Sequence, residues 1–180
     1  FSSTGGTSLV ELPANQYVCY MDKFEWMMDD EKISLYNTLS VDTLKIGQLS
    51  YSELIDADLR GSEFISMHPK QDSLEFFSLK ALYDLKENIL YAGDVKLIKV
   101  ADAAVFPVDG KVTIRKNAQM EPLVNAVIIA DTIRKSHVIY DATVTIQSRK
   151  NYRASGKYDY TDELGNVNQI LFDNISTDSS

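Results

Sequence analysis

Residues 74–114 read LEFFSLKALYDLKENILYAGDVKLIKVADAAVFPVDGKVTI, and this stretch decides the fold class. Short runs of β-branched and aromatic residues are interrupted at close intervals by Gly, Asp or Asn, a pattern typical of successive antiparallel strands. Asp109-Gly110 predicts a tight hairpin between the runs that flank it, because a type I′ turn needs positive φ at both central positions. The stretch therefore predicts a β-rich protein.

The flanking sequence continues this pattern in both directions. Residues 17–21 and 24–28 are predicted to form two strands near the N-terminus. Residues 138–147 form the longest alternating run, and residues 152–160 alternate as well. Strands with one polar face fit an antiparallel sheet that exposes one side to water, and not a doubly buried parallel sheet.

The remaining signals concern turns and helix. Gly165-Asn166 predicts a turn that leads into a strand over residues 167–172. Helix competes with strand only within residues 40–58, where a short helix over residues 52–58 is predicted. We therefore expect a mainly all-β, antiparallel fold with at most one short helix.

Length and composition favour one globular domain. The chain has 180 residues, 44% of them hydrophobic, which is enough to bury a core without disulfides or metal. Ser, Thr and Gly dominate both ends, so we predict a flexible tail at residues 1–8, a single domain at residues 9–175 and a second tail at residues 176–180. Such ends are typical of linkers, and we interpret the chain as a fragment of a larger protein.

Charge and apolar content limit the classes of partner. The formal net charge is −8, which argues against nucleic acid, because phosphate binding needs a basic surface. No apolar run approaches the ~20 residues needed to cross a bilayer as a helix. The lone Cys19 is expected to be a small buried hydrophobic residue, with a catalytic thiol as the alternative.

Three aromatic residues recur at one interval. Trp26, Tyr83 and Tyr140 are each separated by 57 residues, and each ends a strand-like run. Either the chain contains a structural repeat whose units stack and share a core, or a Tyr-rich chain produces this spacing by coincidence.

Residues 80–97, KALYDLKENILYAGDVKL, resemble the repeating element of the OstA-like proteins of lipopolysaccharide transport. In that family an aromatic strand, a Lys/Asn turn and a Gly-Asp-Val strand recur. The resemblance implies an antiparallel stacked-strand β-jellyroll or solenoid-like meander in a bacterial envelope protein. It implies a groove that carries lipid and supplies no catalytic residue. The Asp109-Gly110 turn and residues 138–147 depart from the regular spacing of the family.

The sequence contains no recognisable catalytic or cofactor motif. Neither His68 nor His137 has a second ligand at metal-binding spacing, so we expect no metal, no cofactor and no catalytic residue. Most carboxylates lie at predicted turns, where solvated acids are common. A glycosidase pair among them remains an alternative, and so does a calcium loop at Asp159, Asp162 and Glu163.

Tyr152, Tyr158 and Tyr160 lie on one face of a predicted strand. They could stack on sugars if exposed, or pack across strands if buried. We expect a non-enzymatic structural or binding module whose partner is a protein or another envelope component. The alternatives are a lipid- or lipopolysaccharide-binding transport module and a glycan-binding or glycan-processing domain. The expected location is periplasmic, outer-membrane-associated or extracellular, in a bacterium.

Overall fold

Antiparallel pairing joins the strands of the described residues into one sheet. The computed structural model describes residues 2–38, 46–59 and 63–177. In this part of the chain fourteen strands pair into one sheet, and every pairing is antiparallel. The prediction of a mainly all-β, antiparallel fold is confirmed.

The strands are β1 (Ser2–Leu12), β2 (Tyr17–Met27), β3 (Lys32–Tyr36), β4 (Glu63–Ser66), β5 (Glu75–Phe77), β6 (Lys80–Asp84), β7 (Ile89–Gly93), β8 (Ile98–Val100), β9 (Ala103–Phe106), β10 (Val112–Ile114), β11 (Leu123–Ala130), β12 (His137–Ser148), β13 (Asn151–Thr161) and β14 (Val167–Ser176). The described residues also contain the helix α1 (Tyr51–Asp56) and two short 3-10 turns, Pro69–Gln71 and Lys116–Ala118. No helix in these ranges has the length and apolar character needed to cross a bilayer.

Strand β2 is the branch point of the sheet. Its first residues, 17–19, pair with β4, its last residues, 23–27, pair with β3, and β1 pairs along its other edge. From β3 one arm continues through β6 and β7 to β10. From β4 the other arm continues through β5, β8, β9, β11, β12 and β13 to β14. We call these the short arm and the long arm.

The two arms share one hydrophobic core. Buried side chains from both contribute, including Leu90 and Ile114 of the short arm and Phe64, Ile98 and Val144 of the long arm. Stripping this much apolar surface from water is the main stabilising contribution to such a fold. The arms are therefore held together chiefly by apolar packing.

Helix α1 covers the outer face of the long arm. Leu54 and Ile55 pack with Leu97, Phe106 and Ile129 in a second buried cluster. This explains why all four residues of β9 are buried: one face of the strand meets the main core and the other meets the helix. The predicted short helix is confirmed, starting one residue earlier and ending two residues earlier than predicted.

The predicted hairpin at Asp109-Gly110 is wrong. Gly110 does adopt positive φ (+66°) and donates its N–H to the carbonyl of Pro107 at 3.0 Å, so a turn is present. Its flanking strands do not pair with each other, because β9 pairs with β8 and β11 while β10 pairs with β7. The turn carries the chain from the long arm to the short arm, a destination that a local turn signal does not encode.

Two expectations for the N-terminal region also need correction. Residues 17–21 and 24–28 are not separate strands but belong largely to one strand, β2, because Asp22 and Lys23 continue the extended backbone. Residues 2–8, predicted as part of a flexible tail, lie in β1, whose backbone pairs with β2. At the other end, Ser176 completes β14, and residues 178–180 of the predicted tail lie outside the described residues.

Two of the three aromatic residues that recur every 57 positions occupy the same place in a hairpin. Trp26 and Tyr83 each stand one residue before the end of the first strand of a hairpin. Both hairpins have four-residue turns that end in a residue with positive φ, Glu31 and Asn88 respectively. Tyr140 lies near the middle of a hairpin arm instead. The third position therefore does not share the local geometry of the first two.

Candidate functional site

A groove runs beneath the last three strands, β12, β13 and β14. It has a volume of about 630 Å³. Its apolar and aromatic lining comes from all three strands: His137, Ile139, Tyr158, Tyr160, Phe172 and Ile175. We call it the C-terminal groove. Its size falls within the ~300–1,000 Å³ typical of small-molecule sites.

The groove exists because the core-facing side of β13 extends beyond the core side chains that pack over it. Alternate residues of a strand share a face, so Tyr152, Ala154, Tyr158 and Tyr160 all point to the same side. Tyr152 is only 4% exposed and Ala154 is buried in the core, whereas Tyr160 is 48% exposed. The same apolar face is thus closed at one end and open to solvent at the other.

A β-bulge in β12 turns the side chain of Ile139 toward the groove. The pairing of β12 with β13 shifts between Tyr140 and Thr143, and Asp141 has φ of +48°. One extra residue reverses the alternation of side chains along a strand. Ile139 is therefore buried and faces the groove, although simple alternation from Ala142 and Val144 predicts the opposite face.

Aromatic rings form a row across the groove. The ring of Tyr158 lies 5.8 Å from that of His137 and 6.2 Å from that of Phe172, with tilted planes in both cases. These separations are favourable for edge-to-face contact. The Tyr158 hydroxyl lies 3.2 Å from His137 Nδ1, and the tautomer of the imidazole decides which of them donates. The row is thus fixed both by ring contacts and by a hydrogen bond.

Apart from the His137 ring and the hydroxyls of Tyr158 and Tyr160, the polar residues of the groove lie at one end of it. Asn174 and Ser176 supply the polar part of the lining. On the other face the hydroxyl of Tyr140 donates to Asp159 and accepts a hydrogen bond from Gln169 Nε2 at 2.8 Å. The three-stranded sheet is therefore mainly apolar and aromatic toward the groove, whereas its outer side carries a hydrogen-bonded polar cluster.

The structure separates the three tyrosines that the sequence singled out. Tyr158 and Tyr160 line the groove, and their rings are accessible to a ligand. Tyr152 lies in the hydrophobic core, where it supports the fold by packing. Sequence reasoning did not single out Ile139 or Phe172 as site residues, and it considered His137 only as a metal ligand that lacks a second ligand at the right spacing. The alternation of side chains along β13 and β14 was the signal that could have placed Phe172 on the same face as Tyr158.

Most of the candidate carboxylates have structural partners. Asp84 accepts the Glu87 N–H in a turn at 2.9 Å, and Asp94 forms an ion pair with Lys80 at 2.8 Å. Such contacts fit the interpretation of these acids as solvated turn residues.

Asp162 holds together the turn between β13 and β14. Its carboxylate accepts hydrogen bonds from the backbone of Leu164 and Asn166 and from the Asn166 side chain, at 2.8–3.0 Å. The hydrogen bonds from Asn166 hold the pKa of Asp162 below its ordinary value. Within the described ranges no three His, Cys, Asp or Glu side chains are grouped so that they could hold a metal ion.

A second hollow of about 560 Å³ is lined by several acids and by Lys99. Two of the acids have cationic partners: Asp56 contacts Lys135 at 2.6 Å, and Glu75 lies 3.6 Å from Arg149. Lys99 Nζ donates to the carbonyl of Ile55 at 2.8 Å, which ties β8 to α1. These contacts tie the helix and loops to the long arm and give this hollow a structural role.

Cys19 occupies the core, as the sequence predicted. It is 0% exposed, and burial raises the pKa of its thiol to about 12. Because the thiolate is the nucleophilic form, a thiol that stays protonated in this way is unreactive at neutral pH.

Comparisons with protein-family models, with curated proteins and with solved structures find no match to this chain.

Proposed function

We propose that this chain is a non-enzymatic binding module of a larger bacterial envelope or secreted protein, and that the C-terminal groove is its binding surface. The observation that carries the proposal is the continuity of the groove with the core. The side chains that line it are of the kind that folds bury, yet Tyr160 and Phe172 remain substantially exposed. Exposed apolar surface of this kind commonly marks a site of interaction.

The chemistry of the lining supports binding and not catalysis. Among the described residues no carboxylate lines the groove, and His137 has a phenol as its neighbour instead of an acid. General acid–base catalysis needs a positioned proton donor and acceptor, and hydrolysis by paired acids needs two carboxylates. The groove offers rings, aliphatic side chains and two neutral polar side chains, which are suited to apolar contact.

An acyl chain is the ligand class that this lining favours most. Ile139, Phe172 and Ile175 give an apolar wall, and the polar end at Asn174 and Ser176 could accommodate a head group. Lipid or lipopolysaccharide binding is also what the resemblance of residues 80–97 to OstA-like proteins implies. Glycan binding is a second candidate, favoured by the accessible rings of Tyr158 and Tyr160, on which sugar faces can stack.

Competition against an uncharged apolar dye tests the proposal and separates the two ligand classes. Phenylnaphthylamine should bind saturably to the protein, with a rise in fluorescence on entering an apolar site. We expect dodecanoate to displace the dye if the site takes acyl chains. Soluble malto- or cello-oligosaccharides should displace it if the site takes glycans.

Two substitutions assign the binding to the groove. Phe172→Ser removes an apolar ring from the lining and should weaken dye binding by at least about tenfold, the effect of losing ~1.4 kcal/mol of contact. Tyr91→Ser is the matched control, because Tyr91 is 42% exposed against 40% for Phe172 and lies on β7 in the short arm. Equal dye affinity in both variants, or no saturable binding at all, refutes the proposal.

A further inference from the structure

Strand β14 is the last strand of the long arm and has a strand neighbour on one edge only. In the part of the chain that the structure describes, β13 is its sole partner. Its opposite edge therefore presents a row of backbone donors and acceptors along ten residues.

Apart from one β-bulge between Phe172 and Ile175, this edge has few of the features that usually prevent sheets from joining. Among its ten residues, VNQILFDNIS, Asp173 carries the only charge, and there is no Lys or Pro. Leu171 is 66% exposed on the outer face, and Ile170 and Phe172 are partly exposed on the groove face. Natural edge strands are normally short, charged, bulged or covered.

The other ends of the sheet are less suited to pairing. Strand β10 has three residues, and Ile114 at its end is already bridged to Met120. Strand β1 is rich in Ser, Thr and Gly over residues 2–8 and offers little apolar surface to bury. Strand β14 combines length with three adjacent apolar residues, Ile170 to Phe172, near its middle.

We propose that β14 pairs antiparallel with β14 of a second copy, about a two-fold axis at Leu171. In this register Leu171 lies opposite Leu171 of the other copy. Ile170 lies opposite Phe172, and Gln169 lies opposite Asp173. The inference concerns the edge of the strand and does not depend on what fills the groove.

The sequence of β14 selects this register over its neighbours. Paired residues must face the same side of the sheet, so the register changes only in steps that place residues of like parity opposite each other. The neighbouring registers put Leu171 opposite the polar Gln169 or the charged Asp173. One step beyond the register that pairs Leu171 with Asp173, the two Asp173 carboxylates lie directly opposite each other, and like charges in that position are destabilising. Only the proposed register pairs apolar with apolar and a carboxylate with an amide donor.

The size of the interface indicates a reversible dimer. Ten residues span roughly 34 Å at 3.4 Å per residue, and two such edges with their side chains bury on the order of 1,000 Å². That is near the lower limit for a specific interface, so we expect dissociation in the micromolar range. Each copy carries a net charge of −8, so added salt should strengthen the dimer by screening the repulsion.

Cysteine cross-linking tests the register directly, because the natural Cys19 is fully buried. Leu171→Cys should form a disulfide-linked dimer on mild oxidation, since directly opposed residues lie within the ~4.4–6.8 Å that a disulfide spans. Gln169→Cys alone should not, because the two copies of residue 169 would be roughly 13 Å apart or more. The double variant Gln169→Cys/Asp173→Cys should cross-link again.

Val124→Cys on β11 is the matched control, because Val124 is 65% exposed and lies away from β14. In sedimentation equilibrium Leu171→Asp should weaken dimerisation at least about tenfold by placing like charges opposite each other. A monomer at all concentrations up to millimolar overturns the proposal. So does cross-linking of Leu171→Cys no faster than that of Val124→Cys, or a larger assembly formed without a Leu171–Leu171 link.

Discussion

At Gly156 on β13, the neighbouring strand β12 leaves no room for a side chain. A methyl group added at this position would lie 2.6 Å from Ile139 Cγ2 and 3.2 Å from both the Ala142 side chain and the Tyr140 carbonyl. Carbon atoms in contact prefer separations of about 3.5–4.0 Å, so Ile139 would have to move by about 1 Å. The crowding lies beside the bulge in β12, where that strand bends against β13.

We expect Gly156→Ala to lower the free energy of unfolding by about 1–2 kcal/mol. Overpacking of a dense core costs about 1–3 kcal/mol, and replacing Gly in a strand returns about 0.5–1 kcal/mol through the entropy of the unfolded chain. Urea denaturation followed by circular dichroism measures the change, provided that the slope with denaturant stays constant. Gly6→Ala is the control, because a methyl group there has no atom within 4 Å.

A double-mutant cycle with Ile139→Ala identifies the clash as the cause. Ile139→Ala alone should cost about 2–4 kcal/mol, because this buried side chain leaves a cavity. The added methyl group at position 156 would then occupy part of that cavity, so the double variant should be about 1–2 kcal/mol more stable than the sum of the single changes predicts. Additive effects, or a Gly156→Ala variant as stable as the parent, would refute the reasoning.

Three further changes probe other parts of the fold. The folded Cys19 thiol has a pKa of about 12 against an ordinary value of 9.0, so between these values the folded chain keeps a proton that the unfolded chain loses. Stability should fall by about 1.4 kcal/mol per pH unit above pH 9 from this group, and Cys19→Ala should flatten that slope in urea titrations; identical slopes contradict the prediction. Asn15→Ala should lower the free energy of unfolding by about 2–4 kcal/mol, because Asn15 Nδ2 donates to the carbonyls of Asn88 and Ile114 at 2.9 Å each. Thermal unfolding measures this change, and a loss below about 0.5 kcal/mol argues against the prediction. Ser50→Ala should lower the free energy of unfolding by about 1 kcal/mol, because it removes the capping box at the start of α1. An unchanged free energy in the same assay would show that the cap does not stabilise the fold.

Local signals in the sequence were sufficient where strands are neighbours in both sequence and space. The alternation of residues 152–160 and the turn at Gly165-Asn166 together predicted β13, its hairpin and β14. The short helix was found for a similar reason, since Ser50 and Glu53 form its cap within one turn. Such features depend on side-chain period and backbone propensity, which a short window contains.

The branch at β2 and the destination of the chain after β9 could not be predicted in this way. Both depend on which distant strands complete the core, and residues such as Phe106 pack against a helix that lies about fifty positions earlier. The position of the groove could not be predicted for a related reason. The groove arises because β12 to β14 extend beyond the core side chains that pack against them. The bulge at Asp141 also moves Ile139 to the groove side. Relative strand length across an interior is a property of the assembled fold, not of any one segment.

The turn between β1 and β2 has a consequence for how the chain folds. Asn15 is bonded to Ile114, 99 positions away, and the carbonyl of Ala14 accepts the N–H of Asn117 at 2.9 Å. During synthesis these contacts can form only after the chain has grown past Asn117. Loops of this length close slowly, so the chain should fold on the slow side for its size. Strands β12 to β14, joined by successive hairpins, can form early in an isolated fragment and dock onto the rest afterwards.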